Sequence, residues 1–327
     1  MKRKLGFFTR LLDDGDAATR YRLATEQILH AEAHGFDTAW VAQHHFHESE
    51  GGLPAPFVFL AHVAAKTCRI RLGTGIVTLP LENPIRAAED AAVLDLLSDG
   101  RLEFGVGPGG TAESFETFGL PGSARNAIME RHLALVRNAL GGGCLSQAAG
   151  SRLYPAAPAL LSRLWQATFS AGGGARAGAA GDGLMLSRTQ PRPDDAPDAA
   201  LWDIQDPIVD AYLAALPAGC VPRIMGSRSV FVADSRAEAH ALAEAGIRRS
   251  GLVKEPDGAQ TLERLIRRMD LHVGTPDDVI RSLRADRTLA RVTDIACQVH
   301  PMDPPHAQTL RSIELIAREV APALGLR

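Results

Sequence analysis

The sequence predicts an α/β fold: a closed (β/α)8 TIM barrel with loop insertions on its C-terminal face. Short apolar, β-rich runs alternate with longer helical ones along the chain, and eight strand candidates are each followed by a helix. No break in composition marks a second domain, so residues 1–327 read as one barrel domain. A barrel of roughly 250 residues plus insertions fits this length.

The elements follow in order. Residues 5–8 are the first strand, and residues 19–34 a helix stopped by Gly35. Strands are predicted at 38–42 and 70–77, with helices at 56–66 and 85–97, the latter ended by Asp99-Gly100. A strand at 102–106 runs into glycines, residues 111–123 read as loop, and residues 124–140 form a clear helix. Later strands are expected at 164–169, 183–187, 229–233 and 295–299. Helices are expected at 174–180, 208–216, 237–249, 262–269, 276–285 and 309–321. Residues 141–158, 189–200 and 250–260 interrupt the alternation. The second of these, TQPRPDDAPDAA, follows a strand, where barrel loops reach the active-site face, and is a candidate lid.

Lys and Arg number 35 against 38 Asp and Glu, so no broad basic field exists for polyanion binding. Four cysteines at 68, 144, 220 and 297 form no CxxC pair, which excludes a zinc knuckle or disulfide scaffold and fits reduced thiols. The start MKRKLGFFTRLLDD lacks the apolar stretch of a signal peptide, and no run is long enough for a membrane helix. A cytoplasmic protein is expected.

Four clusters carry chemistry. Gln43-His44-His45-Phe46-His47-Glu48 follows the second strand, where a histidine serves as proton donor or acceptor, or simply as a hydrogen-bonded structural residue. His45 and His47 alternate as strand-end metal ligands do, but no spacing supplies a further ligand, and no metal is expected. Gly73-Thr74-Gly75-Ile76 marks a bulge or an ordinary strand-end turn. Gly105-Val106-Gly107-Pro108-Gly109-Gly110 opens no helix, so it is not a dinucleotide fingerprint, yet Gly107 and Gly109 admit a ligand near the backbone. Ser170-Ala171-Gly172-Gly173 joins a strand to a helix and presents free N–H groups, a phosphate cradle or a ligand-free connector. Arg125, at an earlier helix start, adds a charge-assisted contact to such a phosphate or is merely solvated.

Taken together, these segments resemble the bacterial luciferase-like flavin monooxygenase family. The likeness lies in residues 39–46 (AWVAQHHF), in the string LP…NP.R.AE…LD.LS.GR within 71–109, in 169–187 and in 272–283 (HVGTPDDVIRSL). The resemblance implies a barrel that uses reduced FMN and O2 to oxygenate a small organic substrate through a C4a-(hydro)peroxyflavin. A separate flavin reductase would supply the reduced flavin. It gives His44 the acid/base role and Thr74, Gly75 and Ile76 the bulge behind the flavin ring, with a cis Gly75–Ile76 bond. Ser170, Ala171, Gly172 and Gly173 become the phosphate turn, joined by Arg125. It further implies a homodimer, with helices 56–66 and 85–97 as contact surfaces. Phe8, Trp40, His45 and Met225 are candidates for the substrate pocket. Pro108 stands where bacterial luciferase has an arginine, and Gln43 where it has a glutamate, which points away from aldehyde luminescence. Two other functions stay open: a deazaflavin (F420)-dependent hydride-transfer oxidoreductase of the same fold, and a non-catalytic flavin-binding protein.

Overall fold

The computed structural model describes residues 3–251 and 261–326. Ten strands are all parallel: β1 (Lys4–Thr9), β2 (Thr38–Val41), β3 (Arg71–Thr74), β4 (Val77–Thr78), β5 (Leu102–Gly107), β6 (Leu164–Ala167), β7 (Gly183–Leu186), β8 (Ile224–Val232), β9 (Leu271–Gly274) and β10 (Asp294–Gln298). Neighbours pair in chain order and β10 closes on both β8 and β1, giving a closed barrel of eight strand positions. β3 and β4 share one position on either side of a bulge, and β9 lies outside the ring on β8.

The outer helices are α1 (Ala17–Ala33), α2 (Pro56–Ala64), α3 (Pro84–Leu97), α4 (Ala112–Thr117), α5 (Arg125–Leu140), α6 (Ala171–Ala179), α7 (Leu201–Ala215), α8 (Arg236–Arg249), α9 (Leu262–Arg268), α10 (Pro276–Ala285) and α11 (His306–Leu315). Their starts are chemically specified. Asp16 caps α1 through Thr19 N, Asn83 caps α3 ahead of Pro84, and Thr275 with Asp278 forms a reciprocal capping box on α10.

Two indoles fill the barrel. Trp40 and Trp165 are 1% and 2% exposed and meet edge to face, with ring centroids 5.6 Å apart. They fit because the facing positions are glycines. A Cβ on Gly73 would lie 2.2 Å from the Trp40 ring, and one on Gly183 2.1 Å from that of Trp165. Phe8, Ala42, Met185, Met225 and Ala296 complete this layer. Burying two indoles contributes several kcal/mol each. Below them Trp165 Nε1 donates to Glu103 at 2.6 Å, and Glu103 pairs with Arg71 at 2.5 Å, closing the N-terminal end with a polar plug.

The structure corrects several expectations. Residues 111–123 contain α4, whose six residues give too weak a local signal; it is held by burial of Phe115 and by Glu113 bonding to His47. β8 begins five residues before its predicted start at 229. Its barrel half, with a buried Arg228, does not read as strand, but that guanidinium is matched by Asp286 at 2.6 Å and Gln205 at 2.9 Å. The strand expected at 164–169 stops at Ala167, leaving Phe169 exposed. α6 starts at Ala171 and α7 at Leu201, earlier than predicted, and β9 was not anticipated. Most of the polar excursion at 250–260 lies outside the described residues.

Candidate functional site

The period of two along each strand decides what faces the barrel interior. Trp40 and Phe8 point inward, so His44 and Arg10 stand above them at the C-terminal mouth. By the same count Ser227 and Ser229 follow Met225, and Gln298 follows Ala296. The mouth is therefore a polar layer resting on an aromatic floor.

The bulge forms one wall. β3 pairs β5 as Gly73↔Glu103 and β4 resumes as Val77↔Val106, four steps against three, so one extra residue is accommodated between them. Thr74 replaces the interrupted ladder. Its hydroxyl donates to Gly105 O at 2.7 Å and accepts from Gly105 N at 2.9 Å. Gly75 N donates to Val41 O at 2.8 Å, and the Gly75–Ile76 peptide is cis. Side chains are excluded here: a Cβ on Gly75 would meet Phe8 at 2.6 Å, and one on Gly107 would meet Ile76 at 2.8 Å. Gly109, at φ +69°, sits where a Cβ would be 2.4 Å from Thr78. The result is a flat backbone surface, reachable at Gly75 and Ile76, with Phe8 beneath.

His44 is fixed by an arginine. Arg10 Nη2 lies 2.9 Å from His44 Nε2, and because a guanidinium can only donate, Nε2 accepts and the ring proton is on Nδ1. Nδ1 is buried and has no partner among the described residues. Burial, then Arg10, His300 and His45, hold the His44 pKa down to about 3. Arg10 is itself anchored on Glu50 O at 3.0 Å. The ring has room only because residue 51 is glycine, where a Cβ would lie 2.7 Å from Nδ1. Sequence inspection missed both Arg10 and Gly51: neither belongs to a recognisable motif, and both act across a loop.

The neighbouring histidines take different partners. His45 packs edge to face on Phe118, with centroids 5.1 Å apart, and Phe46 tilts against the same ring at 5.6 Å. His45 Nε2 is buried without a partner among the described residues, and burial lowers its pKa. His47 Nε2 instead bonds Glu113 of α4 at 2.5 Å. Among the described residues, the His/carboxylate group with metal-ligand spacing is His30, His34 and Glu314, at the C-terminal ends of α1 and α11, away from the mouth. Gln43 locks the loop after β2 to the bulge: its oxygen accepts from Thr78 N at 2.7 Å, and its amide donates to Glu82 at 2.7 Å and to Pro54 O at 3.0 Å. A glutamate there would face Glu82, which explains the amide.

Across the mouth His300 Nδ1 bonds Asp303 at 2.7 Å, and Ser229 Oγ donates to His300 O at 2.6 Å. At the phosphate-turn candidate, Ser170 caps α6 by accepting from Gly173 N at 3.2 Å, while Ala171 and Gly172 are exposed. Gly173 is tight against Thr168, and Gly174 lies against the backbone of Ile208 in α7, so neither position has room for a side chain. Arg125 is exposed at the start of α5 and makes no bond to α6; the guanidinium beside Gly172 is that of Arg176, which pairs with Glu130 at 3.3 Å. Trp40 and Met225, expected in the substrate pocket, are instead floor, each 1% exposed within the packed layer. Phe8 lies at its upper edge.

Fold and mouth together define a TIM-barrel protein with a flat, glycine-lined stretch of backbone at its C-terminal end. The family model of luciferase-like monooxygenases matches residues 1–293, and the chain belongs to that family. Limonene 1,2-monooxygenase of Rhodococcus erythropolis is 31% identical over 188 residues, 54% of this chain and 48% of that one. The alkanal monooxygenase alpha chain of Photorhabdus luminescens is 36% identical over 110 residues, 34% of this chain and 30% of that one. The matched part thus spans less than half the length of these relatives. The crystal structure of monooxygenase RslO1 from Streptomyces bottropensis superposes over 98% of this chain and 99% of that one, with TM-score 0.79 and 25% identity. The fold alone is also shared with a Baeyer–Villiger monooxygenase from Pseudomonas putida in complex with FMN (19% identity, TM-score 0.74, 98% and 99% covered) and an F420-dependent tetrahydromethanopterin reductase from Methanopyrus kandleri (17%, 0.68, 98% and 99%).

His44 should stay neutral across the physiological range. Its folded pKa is depressed below 6.5, so the unfolded chain takes up the proton first, and its contribution to stability is present above pH 6.5 and lost as pH falls towards 3. An NMR titration should find its Cε1–H resonance unmoved from about pH 8 to about pH 5; an inflection near 6.5 would contradict the buried, Arg10-held ring.

Proposed function

We propose that this chain, acting as one barrel domain, is an FMN-dependent monooxygenase that uses reduced FMN and O2 to oxygenate a small organic substrate. The carrying observation is the glycine-lined bulge, pinned by Thr74 and floored by Phe8, at the same mouth as a neutral, immobilised His44. The residues present fit a flavin: the bulge excludes Cβ atoms from a planar face, and two histidine nitrogens nearby are buried without partners among the described residues. Thr74, Gly75, Ile76, Gly107 and Gly109 would hold the ring. Ser170, Ala171, Gly172 and Gly173, with Arg176 or Arg125 adding charge, would hold the phosphate. Reduced flavin and dioxygen supply the oxidising chemistry. His44 holds a proton at Nδ1, the donor a negatively charged oxygen needs beside it. His45, Phe46 and Phe118 keep water from the rim. Residues 189–200, anchored by Arg192 on Asp270 at 2.7 Å, would cover the opening. A separate reductase would deliver the flavin. Three exposed thiols, at Cys68, Cys144 and Cys220, suit a reducing cytoplasm.

Anaerobic titration with reduced FMN, followed by mixing with oxygenated buffer and a substrate panel, tests the proposal. Saturable binding and product formation are expected, and His44→Ala should cut product per reduced flavin by about 10²–10⁴-fold with binding retained. Binding of reduced F420 with hydride transfer, and none of reduced FMN, would replace this assignment.

A homodimer is also proposed. Val93, Leu96 and Leu97 form an exposed stripe in the last turns of α3, and Val58 is exposed in the first turn of α2. Light scattering should give twice the 34.9 kDa chain mass, and Leu96→Glu with Leu97→Glu should halve it; a monomeric wild type would remove this interface.

A further inference from the structure

We propose that the chain carries a second site, away from the mouth, where His30, His34 and Glu314 bind one divalent metal ion of the zinc class and so staple α1 to α11. The site shares no residue with the mouth and does not rest on the monooxygenase assignment.

The place matters for the fold. α1 follows β1 and α11 follows β10, the two strands whose pairing closes the ring, so these helices flank the seam of the barrel. His30 stands in the last turn of α1 and His34 at its C-cap. Four residues apart, the two rings project from the same side of the helix end. Their centroids are 4.3 Å apart, and one ligand atom from each ring and one from Glu314 fall within 4.8 Å of one another.

Each of the three is already oriented as a ligand. His30 Nε2 lies 3.3 Å from Glu314 Oε1, yet it is buried and has no hydrogen-bond partner among the described residues. That separation suits two ligands of one ion, since bonds of about 2.0–2.1 Å give a tetrahedron an edge of about 3.4 Å. His34 Nδ1 lies 2.9 Å from His30 O. A carbonyl only accepts, so in the neutral ring the proton is on Nδ1 and the lone pair on Nε2, the tautomer that a ligating histidine needs. Arg311 Nη1 donates to Glu314 Oε2 at 2.9 Å, which leaves Oε1 towards His30.

Charge favours a cation. Burial, and then the neighbouring His34, lower the His30 pKa, so its ring is neutral at pH 7 and does not serve Glu314 as a full counter-charge. Arg311 does not fill that role alone, because it also pairs with Asp234 at 2.6 and 3.0 Å. His306, earlier on α11, is engaged by Glu26 at 3.2 Å. Two imidazoles and one carboxylate select a zinc-class ion over magnesium or calcium, which prefer all-oxygen sets. Three protein ligands leave a fourth position for water.

The test uses the untagged full chain, reduced and stripped by chelation, titrated calorimetrically with zinc chloride and optically with cobalt(II). Zinc should saturate, and an excess of about a hundredfold over Kd should raise Tm by about 4 °C. Cobalt(II) should give a visible ligand-field band without a thiolate charge-transfer band. His34→Gln and Glu314→Gln should each weaken one equivalent of zinc tenfold or more, with circular dichroism guarding against misfolding. Joint replacement of the exposed Cys68, Cys144 and Cys220 by serine should leave that equivalent in place. Absence of saturable zinc binding, or binding undiminished in both site variants, overturns the proposal. So does a thiolate band that disappears with the three cysteines, or magnesium binding more tightly than zinc.

Discussion

The molecule depends on how its barrel interior is filled. Eight strand positions enclose space for side chains and little more. Here two indoles occupy it, at Trp40 and Trp165, which demands glycine opposite them at positions 73 and 183. This packing closes the barrel from below and leaves the C-terminal mouth as the place where polar side chains gather over an aromatic floor. Phe8, Ala42, Met225 and Ala296 belong to that floor, and the next inward residues, Arg10, His44, Ser227 and Gln298, belong to the mouth.

The bulge and the histidine loop are then coupled through few contacts. Thr74 satisfies Gly105 where the ladder breaks, and Gln43 ties Thr78, just past the bulge, to the loop that carries His44. Arg10 completes the circuit from β1 by fixing the His44 tautomer. A neutral imidazole follows from this arrangement, because burial and a neighbouring guanidinium both oppose a second proton.

Much of the barrel was legible in the sequence. The alternation of elements, the strand-end glycines and His44 were all apparent from period and motif. What escaped has physical reasons. β8 begins with Ile224-Met225-Gly226-Ser227-Arg228, which looks like strand only once Asp286 is seen to neutralise Arg228 and Gln205 to accept from it. α4 is too short to announce itself and exists because Phe115 is buried and Glu113 holds His47. Trp40 and Met225 read as pocket residues since an apolar residue near a strand end looks the same whether it lines a cavity or plugs it. Arg10 and Gly51 carry no motif, and their meaning comes from His44, a partner distant in sequence.

The most direct measurement is a crystal structure of the protein soaked anaerobically with reduced FMN. The isoalloxazine ring should lie across Gly75 and Ile76, with His44 at its edge and the phosphate at residues 170–173. A flavin bound elsewhere, or a ring that leaves the bulge uncovered, would contradict the view that the bulge and His44 form one site.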